Sequence, residues 1–143
     1  MNIKDSNIAI VHDWFLQKSF GGAEKVSFFL NEFLKERYSV PDIFSLTSNI
    51  QNSKINNFEK SKIQTSFIQS LPFGKTNVQS YLPFLPYAIE QLDLRKYDLI
   101  ISSSHAFAKG ILTSPDQLHI SYVHTPMRYA WDQMHTYLEK SKL

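Results

Sequence analysis

Apolar residues in this 143-residue chain fall into two kinds of pattern. Ile8, Ala9, Ile10 and Val11 form a short unbroken run, as expected of a parallel strand covered on both faces. From Ala23 the period lengthens. Ala23, Val26, Phe29, Leu30, Phe33 and Leu34 recur at helical spacing, while Glu24, Lys25, Asn31, Glu32, Lys35 and Glu36 take the other side. The loop between them, Gln17-Lys18-Ser19-Phe20-Gly21-Gly22, closes on paired glycines. Strand, glycine loop and helix in that order predict the opening of a Rossmann-like unit.

The same signals recur downstream. Residues 41–47 predict a second strand, and residues 97–101 a third that runs into Ser102, Ser103, Ser104 and His105. Residues 118–123 have the β-branched and aromatic content of a buried strand. They lead to His124 at a bend, then to Thr125 as N-cap and Pro126 as the first position of a helix reaching Tyr137. Between these elements, residues 63–71 hold a short strand and a helical turn. Pro72, Pro83 and Pro86 then cut the chain into short pieces, since proline inside a helix costs about 3 kcal/mol. Residues 87–92 add a turn or two of helix, residues 106–110 a short helix ended by glycine, and residues 114–117 a turn. The Asn/Ser/Lys-rich stretch 47–62 reads as a long surface loop.

Strands alternating with helices predict an α/β fold, a Rossmann-like parallel sheet flanked by helices, with residues 1–143 as a single domain. The strand ends at Asp13, Ser103 and His124 would then line one rim. Helix N-termini bring free N–H groups and a favourable dipole to such a rim, and ligands bind there.

Composition narrows the classes. With 43% hydrophobic and 20% charged residues the chain is ordinary for a globular protein, and a net charge of +2 makes no electrostatic case for nucleic acid. The absence of cysteine leaves no disulfide framework or thiolate chemistry and fits a reducing compartment. The N-terminus lacks the build of a signal peptide and no apolar run is long enough to span a bilayer, so the expected location is cytoplasmic. Contact with the inner face of the membrane rests on Lys54, Lys60, Lys62 and Lys75 near Phe67, Phe73 and Phe84, and a solvated loop explains those lysines equally well.

Several familiar chemistries are disfavoured by spacing. G-x-G-x-x-G is absent, which argues against a nicotinamide enzyme, and Gly74-Lys75-Thr76 lacks the glycine that a phosphate-binding Walker loop needs where Gln69 stands. The five histidines have neither metal-ligand spacing nor cysteine partners, so no metal site is expected. Ser102-Ser103-Ser104 has no G-x-S-x-G frame. Gly21-Gly22 before a helix lets backbone N–H groups approach phosphate or sugar oxygens, and a tight turn accounts for the pair as well. His124 reads as a ligand contact or as a filler of its turn. The residues by themselves give an anion-friendly rim and no named reaction.

Four motifs taken together add more. Ile8-Ala9-Ile10-Val11-His12-Asp13-Trp14, Gly21-Gly22-Ala23-Glu24-Lys25-Val26, Ile101-Ser102-Ser103-Ser104-His105-Ala106-Phe107-Ala108-Lys109-Gly110 and Tyr122-Val123-His124-Thr125-Pro126-Met127-Arg128-Tyr129-Ala130-Trp131-Asp132 succeed one another along the chain. In that order they resemble the N-terminal half of family 4 glycosyltransferases, in particular bacterial mannosyltransferases of surface-polysaccharide assembly. The resemblance implies a GT-B fold, with two Rossmann-like domains facing a cleft, and transfer with retention of configuration, without a metal or other cofactor. Residues 1–143 would be the N-terminal, acceptor-side domain. The C-terminal donor domain, with its basic side chains for the diphosphate and its E-x7-E element, would be absent from the chain, leaving it inactive alone.

By the same resemblance His124 matches the histidine near the transferred sugar, and Asp13 joins it as the second catalytic candidate. Gly21 and Gly22 match the glycine loop near the donor phosphates and acceptor, and Ser103 and Arg128 complete the binding set. The implied partners are a nucleotide-sugar, GDP-mannose by family habit, a second domain, and a saccharide or lipid-linked acceptor. Two other readings stand beside this one: a non-catalytic module that binds a saccharide or a partner in the same cleft, and a truncated gene product.

Overall fold

The structure is a computed structural model that describes residues 2–50, 63–126 and 134–140. The apolar run at Ile8 opens strand β1 (Ile8–Phe15), which is buried throughout. With β2 (Asp42–Ser48), β3 (Ile63–Thr65), β4 (Leu99–Ser104) and β5 (Leu118–Val123) it forms one sheet in the order β3-β2-β1-β4-β5. Every neighbouring pair is parallel. Helix α1 (Gly22–Arg37) follows β1, α2 (Leu85–Glu90) precedes β4, and α3 (Met134–Lys140) lies near the end of the chain. This is a small α/β domain, a five-stranded parallel sheet flanked by helices in the Rossmann-like manner.

Alternate residues of the central strands face opposite layers. Ile8 and Ile10 of β1, with Leu99 and Ile101 of β4, pack on Leu34 of α1 and on half-buried Leu30 and Phe33. Ala9, Val11, Phe44, Leu46 and Ile100 point the other way, onto Ile68, Leu85, Ala88 and Ile89. Each fully buried aliphatic side chain contributes about 1.5–3 kcal/mol, so the two clusters hold the sheet between its layers. The prolines act as expected. The segment before α2 is a 3-10 stretch (Val78–Phe84) containing Pro83 and interrupted at Tyr81, and Pro86 falls in the first turn of α2, where its missing N–H costs nothing.

Gly74 has a packing reason. A Cβ there would lie 1.9 Å from the Ile68 carbonyl oxygen, so the turn closes on the 3-10 segment Phe67–Ser70 only without a side chain.

Two expectations need correction. The inward face of α1 is Glu24, Ser27, Phe28, Asn31 and Leu34, whereas Phe29 is 69% exposed. The helix is rotated from its most apolar face because Glu24 finds polar partners inside and Phe28 stacks with Phe15 and Phe20 at 5.9 and 5.3 Å. Strand β5 is not buried: Leu118, Ile120, Tyr122 and Val123 are each about half exposed. It pairs only with β4 and forms the outer strand among the described residues, so sheet position decides its exposure and composition does not. Of the helix expected from Pro126 to Tyr137, residues 134–137 fall within α3; residues 127–133, Arg128 among them, and residues 51–62 of the 47–62 loop lie outside the described residues.

Candidate functional site

From β1 the chain steps outward through β2 to β3, then crosses back to β4 on the other side of β1. The two directions part between β1 and β4, and such a switch point opens a crevice at the carboxyl ends of the strands. Register sets His12 beside Ser103 across this seam. His12, Asp13, Ser102, Ser103 and Ser104 are all fully buried there, where apolar side chains would ordinarily be found.

Asp13 is held by backbone. Its Oδ2 accepts from the N–H groups of His105 and Ala106 at 2.7 and 3.0 Å, and its Oδ1 from those of Phe107 and Ala108 at 2.5 and 2.7 Å. The His105 ring Nδ1 lies 3.0 Å from Oδ2. One carboxylate thus gathers four consecutive amides and shapes the loop after β4. Hydrogen bonds to an ionised acceptor are worth about 1.5–3 kcal/mol each, which offsets the cost of burying the charge.

His12 lies between two acceptors. Its Nδ1 donates to the Ser103 carbonyl oxygen at 2.8 Å, and its Nε2 faces Glu24 Oε1 at 3.4 Å. The Gly21 N–H donates to the other Glu24 oxygen, Oε2, at 2.8 Å. Gly21 is the N-cap of α1 and has no side chain with which to cap, so Glu24 at the third helical position reaches back to the cap's amide. Burial by itself would raise the Glu24 pKa. The hydrogen bond from His12 and those from the Gly21 and Glu24 amides outweigh it and hold the carboxyl below its ordinary value.

His124 follows β5 at the same edge. Its N–H donates to the Ser104 carbonyl at 2.9 Å, and its ring Nε2 is hydrogen-bonded to Ser103 Oγ at 2.7 Å. The ring centroid is 4.8 Å from Tyr122 and 6.5 Å from His12. Burial, then the neighbouring His12 and His105, push its pKa below the ordinary histidine value against the opposing pull of Asp13 and Glu24. At neutral pH the half-buried ring is therefore uncharged and suited to a hydroxyl rather than a phosphate.

Gly22 begins α1 next to the capped Gly21. A Cβ added there meets nothing within 4 Å, so no packing contact demands glycine and the space beyond it is open. The first N–H groups of α1 have no partners within the helix.

One hydrogen-bonded cluster thus joins the glycine loop, Ser103 and His124, with Asp13 shaping the adjoining loop. Residues not singled out in the sequence, His12, Glu24 and His105, make many of its contacts. A glutamate three positions after an N-cap is a visible signal for Glu24, and a histidine ending an apolar strand is one for His12. His119 belongs elsewhere: its ring meets Ser102 Oγ at 2.9 Å in a ladder with Ser121, and burial lowers its pKa.

Among the described residues no group of three or more His, Cys, Asp or Glu side chains is arranged to hold a metal ion, and no helix is long and apolar enough to cross a membrane. A groove of about 340 Å³ lined by Phe44, Gln64, Phe67, Gln91 and Asp93 shares no residue with the crevice. No protein-family profile, curated protein or solved structure matches the chain.

Proposed function

We propose that residues 1–143 are the acceptor-side Rossmann domain of a retaining, metal-independent glycosyltransferase of the GT-B type. It would act with a second Rossmann-like domain that holds the nucleotide. The proposed reaction moves a hexose, mannose by resemblance to the family 4 enzymes, from GDP-mannose to a saccharide or lipid-linked acceptor in surface-polysaccharide synthesis. A cytoplasmic setting, at the inner face of the membrane where the acceptor is lipid-linked, goes with that reaction.

The observation that carries the reading is the meeting of the Gly21–Gly22 loop, Ser103 and His124 in one crevice, from three separate stretches of the sequence. In this reading His124 binds a sugar hydroxyl as a neutral imidazole, and the open space at Gly22 admits donor phosphate or acceptor close to the N-terminus of α1. Arg128 stands as a substrate-binding candidate by resemblance alone. Catalysis would consist of orientation together with stabilisation of the departing diphosphate and an oxocarbenium-like sugar.

A direct test titrates the chain with GDP-mannose and with mannobiose, monitoring amide and histidine-ring NMR signals. The reading expects saturable shifts at Gly21, Gly22 and His124, weakened at least tenfold in His124→Ala. Absence of any shift at those residues would remove the assignment. A transfer assay with a nucleotide-binding partner domain then separates enzyme from binding module. One observation favours the second of these: both carboxylates at the crevice, Asp13 and Glu24, are buried and already engaged by protein groups, so a saccharide-binding module that performs no transfer uses the same geometry.

A further inference from the structure

We propose that His12 and Glu24 are positioning residues, a buried couple that fixes the Gly21–Gly22 loop against Ser103 and, through Ser103, against His124. The ligand arm of this inference rests on the saccharide reading above; the coupling itself does not.

The path is continuous. The Gly21 N–H donates to Glu24 Oε2 at 2.8 Å, Glu24 Oε1 faces His12 Nε2 at 3.4 Å, and His12 Nδ1 donates to the Ser103 carbonyl at 2.8 Å. Ser103 Oγ then meets His124 Nε2 at 2.7 Å. Two walls of the crevice are joined this way, the N-terminus of α1 on one side and the ends of β4 and β5 on the other.

Helix capping alone does not explain the arrangement. A capping glutamate at the third helical position does its work exposed at the helix end, and a serine or aspartate at the cap satisfies the same amides. Here Glu24 is only 3% exposed, and its second oxygen is turned inward to a histidine with no exposure at all. Taking two ionisable side chains out of water is costly, and well-packed apolar residues would stabilise a core at least as well. Such a couple does what apolar residues do not: a ring with Nδ1 on the Ser103 carbonyl and Nε2 against the Glu24 carboxyl admits a single orientation. The groups facing His12 are Glu24 from α1, the Ser103 carbonyl from β4, and the rings of His105, His124 and Phe15. It therefore sits at the junction of all the elements that border the crevice.

Glu24→Gln in the full chain keeps the size of the side chain and removes the ionised acceptor. The expected result is an amide-exchange rate at Gly21 raised about tenfold or more, displaced ring ¹⁵N signals for His124, and affinity for GDP-mannose lowered about tenfold. Exchange at Leu34, near the far end of α1, stays as in the wild type. Glu36→Gln, exposed on the same helix, moves none of these signals. A folded Glu24→Gln chain with wild-type exchange at Gly21 and wild-type His124 signals overturns the coupling, whatever its affinity. If neither GDP-mannose nor mannobiose perturbs any signal in the wild type, the saccharide reading falls, and the amide and ring signals still decide the coupling. If Glu24→Gln does not fold, Ser103→Ala decides. Removal of that hydroxyl displaces the His124 ring signals and leaves Gly21 protected if the path is as described, and unmoved His124 signals refute it.

Discussion

Replacement of Asp13 by asparagine separates a structural from a chemical role for this buried carboxylate. In the native chain each carboxylate oxygen accepts from two backbone N–H groups of the loop after β4, at distances from 2.5 to 3.0 Å. Asparagine keeps one of those oxygens and puts an NH₂ in place of the other. Two amides then lose their acceptor and face a donor, inside a region with no exposure at residue 13. A stranded buried donor costs about 1–3 kcal/mol, and the two remaining bonds lose their charge assistance, so the expected destabilisation is about 4 kcal/mol. Domains of this size are stable by about 5–15 kcal/mol, which makes this a large fraction of the total. Urea denaturation should show the loss as a lower midpoint with an unchanged slope, and the melting temperature should fall by roughly 10 °C. NMR titration with GDP-mannose, at a temperature where the variant remains folded, completes the assay. If Asp13→Asn keeps wild-type stability to within about 1 kcal/mol yet loses the ligand, the carboxylate acts on the ligand and the structural account is wrong.

Other consequences concern pH and backbone. His119 and His124 both sit below the ordinary value of 6.5, so the unfolded chain binds more protons than the folded one just under that pH. Stability should therefore fall as pH drops from about 6.5 through the folded values, and His124→Gln should flatten part of that slope in denaturation midpoints measured from pH 8 to 5. Glu24 lies below 4.5 in the fold, so its contribution is fully present above that pH and is lost in a second step as pH falls through the folded value, a step absent from Glu24→Gln. Phe73 has φ near 60° and is 75% exposed, so glycine there relieves left-handed strain at little cost in packing. Phe73→Gly should stabilise by about 0.5–1 kcal/mol, read as a rise of about 2–3 °C in a thermal melt. Gly74→Ala should destabilise by at least about 2 kcal/mol in the same melt, because its Cβ meets a carbonyl oxygen at 1.9 Å.

The features legible in the sequence were local. The unbroken run at Ile8 and the 3.6-residue period from Ala23 identify a strand and a helix because both patterns arise from the geometry of one segment. The proline breaks before β4 were legible for the same reason. Exposure of β5 was not, since Leu118, Ile120, Tyr122 and Val123 have the same composition in a central strand as in an outer one, and only pairing decides between them. Nor was the orientation of α1. Apolar periodicity gives the face with the most hydrocarbon, whereas the helix turns Glu24, Ser27 and Asn31 inward and leaves Phe29 in water.

That rotation and the site have one cause. Counting apolar side chains predicts a helix face as long as the sheet beneath it is apolar, and under the first turn of α1 it is not: the sheet offers His12 there, with Ser103 beside it in register. The buried ring has Nδ1 on a carbonyl and turns Nε2 toward α1, and Glu24 meets it there only if the helix is turned to bring that residue underneath. Meeting this demand sends Phe29 outward, where burying it would otherwise have contributed about 1.5–3 kcal/mol. The demand originates in the polar strand ends at the switch point, where a fold selected for packing alone would carry valine or isoleucine. Departure of α1 from its most apolar face is thus itself a trace of the crevice. A helix that comes after a glycine pair and buries a glutamate in its first turn directs attention to the adjoining strand end before any ligand is known.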